Sequence, residues 1–503
     1  MWVAYTKRRT LMTLAALIRL HLPVRRCRNP VCPRYHRPYR PEVEGAYALP
    51  HGEFGLDVIA LIGALRFAQH RSVPEIQVEL HRRGVSICER SVTEQLYRYE
   101  ELVTLRLADH TRLRALLKAQ GFVVLALDGL QPDVGHEVLW VLRDCVSGEI
   151  LLARSLLGAT EADLAPLITE VRDTVHVPIR GVISDGQQSI RKAVASALPG
   201  VPHQLCQFHY LREAAKPIYE ADRHAKKELK KAVRGVRPIE RALDEREDAE
   251  GDAVRGYCLA VRSALTDDGR PPLCASGLKL HARLTAIAES IERVEKKGGL
   301  PPELAQLQKQ VRKGLEQTAA LWPVIERGYA WVHRAARVLE HAAGDDVLLV
   351  RREYRRLLAE MRREQEQLGA LAWVVGHFCK VTKSYWMGLF RCYETAELPR
   401  TNNDLEQWFG SVRYHERRTS GRKGATPGLV VRGQVRLLAA VATRTREVKA
   451  EDLRPMDVAA WHELRAELDK RQEARRRQLR FRRDPQAYLR TLEERLLKPN
   501  LPT

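Results

Sequence analysis

Apolar positions between residues 54 and 105 recur with helical spacing. Phe54, Leu56, Val58, Ile59, Leu61, Ile62 and Leu65 predict a first helix. Ser72 reads as the N-cap of a second, with Pro74 in its first turn and Gly84 at its end. A third opens at Arg90-Ser91-Val92-Thr93 and continues through Leu96, Tyr97 and Tyr99. Two short helices joined by a Gly-containing turn match a helix-turn-helix, and equally a plain three-helix packing unit. From residue 121 the period shortens. Apolar runs at 122–127, 138–142, 150–153, 179–184 and 203–208 predict strands, with helices over 160–171 and 187–197. Strand, strand, strand, helix, strand, helix, strand is the order of a mixed α/β sheet. Residues 211–395 are charged and helical, broken at Gly298-Gly299-Leu300-Pro301-Pro302, as in a helical subdomain inserted into the sheet domain. Residues 402–415, 430–446 and the tail from 452 are helical again.

Composition sets the class. The chain has 503 residues, 45% hydrophobic and 29% charged, which are globular values and suit about three domains. Lys and Arg total 84 against 63 Asp and Glu, a net charge of +21, which points to a polyanionic partner. That charge favours the helix-turn-helix over plain packing, with the third helix, opened by Arg90, as the recognition helix. No run reaches about 18 uninterrupted apolar residues, so no membrane-spanning helix is expected. Lys7-Arg8-Arg9 followed by the apolar stretch 11–18 imitates a signal peptide, but Arg19 and His21 end it without a small-residue cleavage site, so a cytoplasmic protein is expected, nucleoid-associated when on DNA. Nine scattered cysteines are not a disulfide framework.

Residues 1–41 hold ten Lys or Arg and no acid. Among them Cys27, Cys32 and His36 are candidate Zn2+ ligands, aimed by the turn-forming Asn29-Pro30, with His51 the candidate fourth; the alternative is a basic loop with two free thiols. Asp128 and Asp185 each end an apolar run and each precede a glycine, which leaves space for a ligand. Carboxylates held at strand ends suit Mg2+ or Mn2+, and two such ions together cut and join phosphodiesters. Taken singly, each is also an Asp-Gly turn. Glu406, near the start of a helix capped by Thr401 or Asn402, is the third candidate acid, with Asp404 and Asp133 as competitors. Arg413, Arg417, Arg418, Arg422 and Lys423 follow it, enough charge to hold a DNA backbone. Trp408 suits core packing or base stacking. Eight basic residues lie between Lys470 and Arg483.

The order of these features resembles a bacterial insertion-sequence transposase of the DDE type. Cys206-Gln207-Phe208-His209 is similar to the Cys-x-x-His motif of Mutator-like and related transposases, and Thr401-Asn402-Asn403-x-x-Glu406 to their motif around the final glutamate. The resemblance covers residues 120–445 and, more loosely, the N-terminal DNA-binding part. It implies an α/β ribonuclease-H-like catalytic core interrupted by a large all-α insertion. The chain then divides into a basic segment with a partial zinc module (1–52), a helix-turn-helix domain (53–115), the first part of the core (120–212), the insertion (213–395), the final core helices (396–447) and a basic tail (448–503). It implies Asp128, Asp185 and Glu406 as ligands of two Mg2+ or Mn2+ ions, with Cys206 and His209 beside them; His209 would support the core or contact DNA. The implied activity is cleavage at the element's ends and transfer of the 3′-OH into target DNA. The partners are double-stranded DNA, as terminal inverted repeats and target, and a second copy of the chain in a synaptic complex, with no membrane partner. The alternatives are an inactive, domesticated relative acting as a repressor and a metal-dependent nuclease without strand transfer. No Walker-type loop occurs, and strand transfer needs none.

Overall fold

A computed structural model describes residues 1–107, 110–131, 136–243, 246–266, 268–269, 271–342, 346–421, 427–445, 447–454 and 457–497. The chain is mixed α/β. A two-stranded hairpin of β1 (Trp2–Met12) and β2 (Leu17–Arg26) precedes the helices α1 (Leu56–Phe67), α2 (Val73–Arg82), α3 (Glu89–Leu107) and α4 (His110–Gln120). Then come β3 (Val123–Leu130), β4 (Val138–Asp144), β5 (Ile150–Leu156), α5 (Glu161–Val175), β6 (Ile179–Ser184), α6 (Gln188–Ala197) and β7 (His203–Leu205). The strands from β3 on form a five-stranded mixed sheet in the order β5-β4-β3-β6-β7. A helical series follows: α7 (Gln207–Ala214), α8 (Lys216–Ala232), α9 (Val236–Arg241), α10 (Ala249–Thr266), α11 (Ser276–Gly298), α12 (Pro302–Thr318), α13 (Trp322–Leu339), α14 (Val347–Arg363), α15 (Trp373–Tyr385) and α16 (Arg391–Glu394). The chain ends with α17 (Asn403–Ser420), α18 (Pro427–Thr445), α19 (Val458–Arg483) and α20 (Pro485–Leu497). Among the described residues no helix is long and apolar enough to cross a membrane.

Contacts divide the chain into two compact units: residues 1–179 with 404–503, and residues 180–403. In the first, the expected three helices form with their expected punctuation. Ser72 and Glu75 make a reciprocal capping box at the start of α2, with Pro74 in its first turn. The core of these helices does not close on itself. Ala439, Ala440, Ala442, Leu453 and Trp461 complete it, so residues near both ends of the sequence build one packing unit.

The link is ionic as well as apolar. Arg432 donates to Glu100 (2.6 Å) and Glu101 (3.1 Å), and Arg436 donates to Glu100 (2.9 Å) and Glu416 (3.2 Å). All five residues are at most 6% exposed. Trp461 donates its indole N–H to Glu101 at 3.0 Å. Burial pushes the Glu100 carboxyl up, but Arg436 and Arg432 outweigh it and hold the group below its ordinary value. Beside this network His415 and His70 share a hydrogen bond at 2.8 Å. Burial, then Arg66 and Arg436, push the His415 imidazole down to about 2.

The second unit packs α7–α16 around Trp322, Tyr354, Phe378 and Phe390. Tyr210 is fully buried at its centre, and its hydroxyl bonds those of Tyr354 and Thr382, each at 2.7 Å.

Two expectations change. The apolar stretch 11–18 is no single segment: it straddles the hairpin turn, where Thr13 and Ala16 exchange hydrogen bonds. Leu11 and Leu22 face inward across that hairpin, an alternation hidden by the flanking charge. The strand expected over 203–208 stops at Leu205. It pairs in parallel with only Val182–Ser184, after which Cys206 caps α7 and Gln207 to Ala214 are helical. A short apolar run does not distinguish strand from buried helix.

Removing one partner from a buried ion set leaves an uncompensated charge, at about 3–5 kcal/mol. Arg436→Met should therefore lower the urea stability of the first unit by that order, with loss of amide protection in α3. Acid should weaken the same unit. An unfolded histidine takes up a proton below about 6.5, whereas folded His415 stays neutral. The unfolded state then binds more protons, and stability falls as pH drops from about 6.5 towards about 2. Urea midpoints at pH 7.5 and 5.5 should differ less in His415→Gln, which keeps a hydrogen-bonding side chain without the titration.

Candidate functional site

The second unit contributes Asp185. Val182, Ile183 and Ser184 are fully buried in β6, so the residue after them leaves the strand at a fixed point. Asp185 is half-buried, and its Oδ1 accepts the backbone N–H of Gln187 at 2.9 Å, turning the chain into α6. A cavity of about 510 Å³ opens beside it, between Asp185, Arg191 on α6, His209 and Arg212 on α7, and Lys380 and Tyr385 on α15. Arg191 donates to the Ser384 carbonyl at 2.6 Å, and its guanidinium stacks 4.5 Å from the Tyr385 ring centre. Burial pushes the Tyr385 phenol up; Arg191 opposes that shift and Asp185 adds to it. An acid with cations on several sides suits a phosphodiester whose metal ligands are carboxylates.

Gly186 does not leave room for a ligand. The Tyr385 hydroxyl packs where a Cβ would stand. Gly129 is similarly occupied from its own sheet, with Val138 and Trp140 across the strand pair. The glycine after each acid therefore serves packing.

The Cys-x-x-His motif divides by role. Cys206 is fully buried; its N–H donates to the Ser184 carbonyl (2.8 Å), and its Sγ accepts the Asn402 N–H (3.3 Å). Gln207 donates from its backbone to Arg400 (3.0 Å) and from its side chain to the Leu389 carbonyl (3.1 Å). This segment thus pins the backbone beside Asp185 to the Thr401-Asn402 stretch that leads into α17. His209, one turn on, lines the cavity with Asp185.

The first unit contributes Asp128 and Glu406. Asp128 lies inside β3, two residues before its end, and its Oδ1 accepts the Gly129 N–H at 2.8 Å. It pairs with Val141, and Ala126 pairs with Arg143, so Asp128 and Arg143 share a sheet face. Arg143 stacks on Trp408 of α17 at 5.3 Å. That contact sets the first turns of α17, with Asp404 and Glu406, on the face that carries Asp128. Trp408 is thus engaged by a sheet arginine. Asp404 is exposed and Glu406 half-buried.

Other expected residues lie elsewhere. Arg90 is exposed at the start of α3 and pairs with Glu94 at 3.1 Å. Arg413 and Arg417 are exposed on α17, while Arg418 binds Glu75 of α2 at 3.0 Å. Asp133, Arg422 and Lys423 lie outside the described residues. The Asn29 turn forms: Val31 N–H donates to the Asn29 side chain at 3.0 Å. His36 N–H reaches the Cys27 carbonyl at 3.2 Å, and Cys27 and Cys32 are free thiols. His51 stands apart in the next loop, at positive φ. Among the described residues no three His, Cys, Asp or Glu side chains are gathered as a metal site. The donor chemistry of Asp128, Asp185 and Glu406, three partly exposed carboxylates, fits hard divalent cations.

Sequence reading missed Arg191, Arg212, Lys380 and Tyr385. Nothing in their spacing connects them, because α6, α7 and α15 meet only in the folded unit. The contact of Tyr385 with Gly186 is testable. Gly186→Ala should cost about 1–3 kcal/mol through overpacking. In a Tyr385→Ala background the same change should cost far less, read as a double-mutant cycle in thermal unfolding. No family model matches the chain, and no curated protein matches it.

Proposed function

We propose that the chain is a DNA transposase in which Asp128, Asp185 and Glu406 act as one centre on a ribonuclease-H-like core. One observation carries the reading: the pin from Ser184 through Cys206 to Asn402 ties the residue before Asp185 to the segment four residues short of Glu406. Further support comes from the sheet, three antiparallel strands followed by a parallel pair, and from the placing of α17 on the Asp128 face by Trp408.

The acids would hold two Mg2+ or Mn2+ ions, whose Lewis acidity activates an attacking hydroxyl and stabilises the leaving oxygen of a phosphodiester. The chain's own groups do the rest. Arg191, Arg212 and Lys380 bind phosphate oxygens beside Asp185. Burial keeps the Tyr385 phenol protonated, a hydrogen-bond donor rather than a charge. The exposed Arg413 and Arg417 offer further cationic contacts on α17. Two copies of the chain would bring two element ends together.

The test uses DNA bordering the chain's own coding sequence, a target plasmid and Mg2+. The expected result is a nick exposing a 3′-OH, followed by joining to the plasmid. Asp128→Asn, Asp185→Asn and Glu406→Gln should each lower both by at least about 100-fold, the scale of lesions around a metal, while DNA binding persists. Cleavage without joining would make the chain a nuclease, and binding without either a repressor. Full activity in any of the three variants would remove that residue from the centre.

A further inference from the structure

The N-terminal hairpin has two faces of different character. In the antiparallel register Lys7, Arg9 and Leu11 oppose Leu22, Leu20 and Ile18 on one face. That face is anchored. Leu11 and Val24 are fully buried, Arg9 binds Glu44 at 3.2 Å, and Met12 exchanges backbone hydrogen bonds with Glu53 and Gly55. Arg25 and Tyr39 exchange a further backbone pair at 2.7–2.9 Å. The hairpin is therefore a fixed ribbon.

The opposite face carries Thr6, Arg8 and Thr10 on β1 and Arg19, His21, Pro23 and Arg25 on β2. All but the half-buried Pro23 are exposed. Val3 and Leu17 close it at its two ends. Among the described residues no carboxylate pairs with Arg8, Arg19 or Arg25. The contrast with the helix-turn-helix is direct, because there Arg71, Arg82 and Arg83 all converge on Glu79, and Arg90 and Arg98 each meet a glutamate. Three unneutralised arginines on one ribbon face repel one another, and an outside polyanion relieves that repulsion.

We propose that this outer face is a docking surface for double-stranded DNA, with the ribbon lying in the major groove. The dimensions agree. Two strands about 4.8 Å apart enter a groove about 12 Å wide, and Arg19 to Arg25 spans about 20 Å of strand. Arginine and threonine are the side chains that meet phosphates and base edges. A membrane surface fits less well, since the one apolar side chain in the middle of the face is the small, half-buried Pro23. The proposal rests on the DNA reading above for the choice of polyanion, and assigns the principal contact to the hairpin rather than to α3.

The experiment compares the full chain with the variant Arg8→Ala/Arg19→Ala/Arg25→Ala on a labelled 30-base-pair duplex, by fluorescence anisotropy across a salt series. A control, Lys297→Ala/Lys309→Ala/Lys313→Ala, removes equal charge from the exposed surface of α11 and α12. Circular dichroism establishes that each variant is folded, and Arg→Gln replaces any that is not. The hairpin variant should bind at least 10-fold more weakly at 0.15 M salt, and its log–log salt slope should fall by about 2 to 3. The control should match the parent. Unchanged affinity and slope in the hairpin variant, with the parent binding DNA, overturns the hairpin assignment and leaves the transposase reading intact. A parent that binds no duplex overturns both. Tighter binding to phosphatidylserine vesicles than to duplex, lost in the hairpin variant, overturns the choice of DNA.

Discussion

Two buried arginines, Arg432 and Arg436, hold the first unit together by satisfying three buried glutamates at once. Burying five charges is costly, and the cost is offset only where every charge has a close partner. Here Glu100 takes both arginines, Glu101 also accepts from Trp461, and Glu416 closes the set. Glu100 and its two arginines lie over 300 residues apart along the chain, on α3 and α18. An apolar contact of equal area would allow these helices to slide. A set of directed, fully enclosed ion pairs fixes their register. Because Glu416 sits on α17, the same set also fixes the helix that bears Glu406.

The second unit uses neutral groups for a comparable purpose. Cys206 and Gln207 spend their hydrogen bonds on Ser184, Arg400, Asn402 and Leu389, all within the unit. Gln204 adds a bond from its amide to the Leu389 carbonyl and accepts the Cys392 N–H. Buried polar groups of this kind tolerate little displacement, since each broken bond leaves an unsatisfied partner. They hold the backbone at Asp185, beside the cavity it lines, and the approach to α17.

Local chemistry was legible in the sequence. The Ser72–Glu75 capping box, Pro74 and the Gly298–Pro302 break announce helix ends because their causes lie within a few residues. Strands β3 to β6 were legible from β-branched runs bounded by glycine. Non-local chemistry was hidden. Nothing local marks Glu100, Arg432 and Arg436 as buried, and only the fold shows them enclosed. Gly186 read as ligand space, but its neighbour Tyr385 comes from 199 positions further along. The hairpin was masked because its inward residues alternate with arginines whose charge dominates the local average. The positions of Asp185 and Glu406 within their elements were legible; Asp128 was expected at a strand end and lies inside β3, and the cations around Asp185 were not legible.

The central claim is that three carboxylates from distant parts of the chain share divalent ions. Localised cleavage by Fe2+ substituted for Mg2+, with ascorbate and peroxide, tests it directly, because hydroxyl radicals cut only the backbone next to the bound ion. The account predicts cuts beside Asp128, Asp185 and Glu406 together, all suppressed by changing any one acid to its amide. Cuts beside one acid alone, or cuts that survive these substitutions, would contradict it.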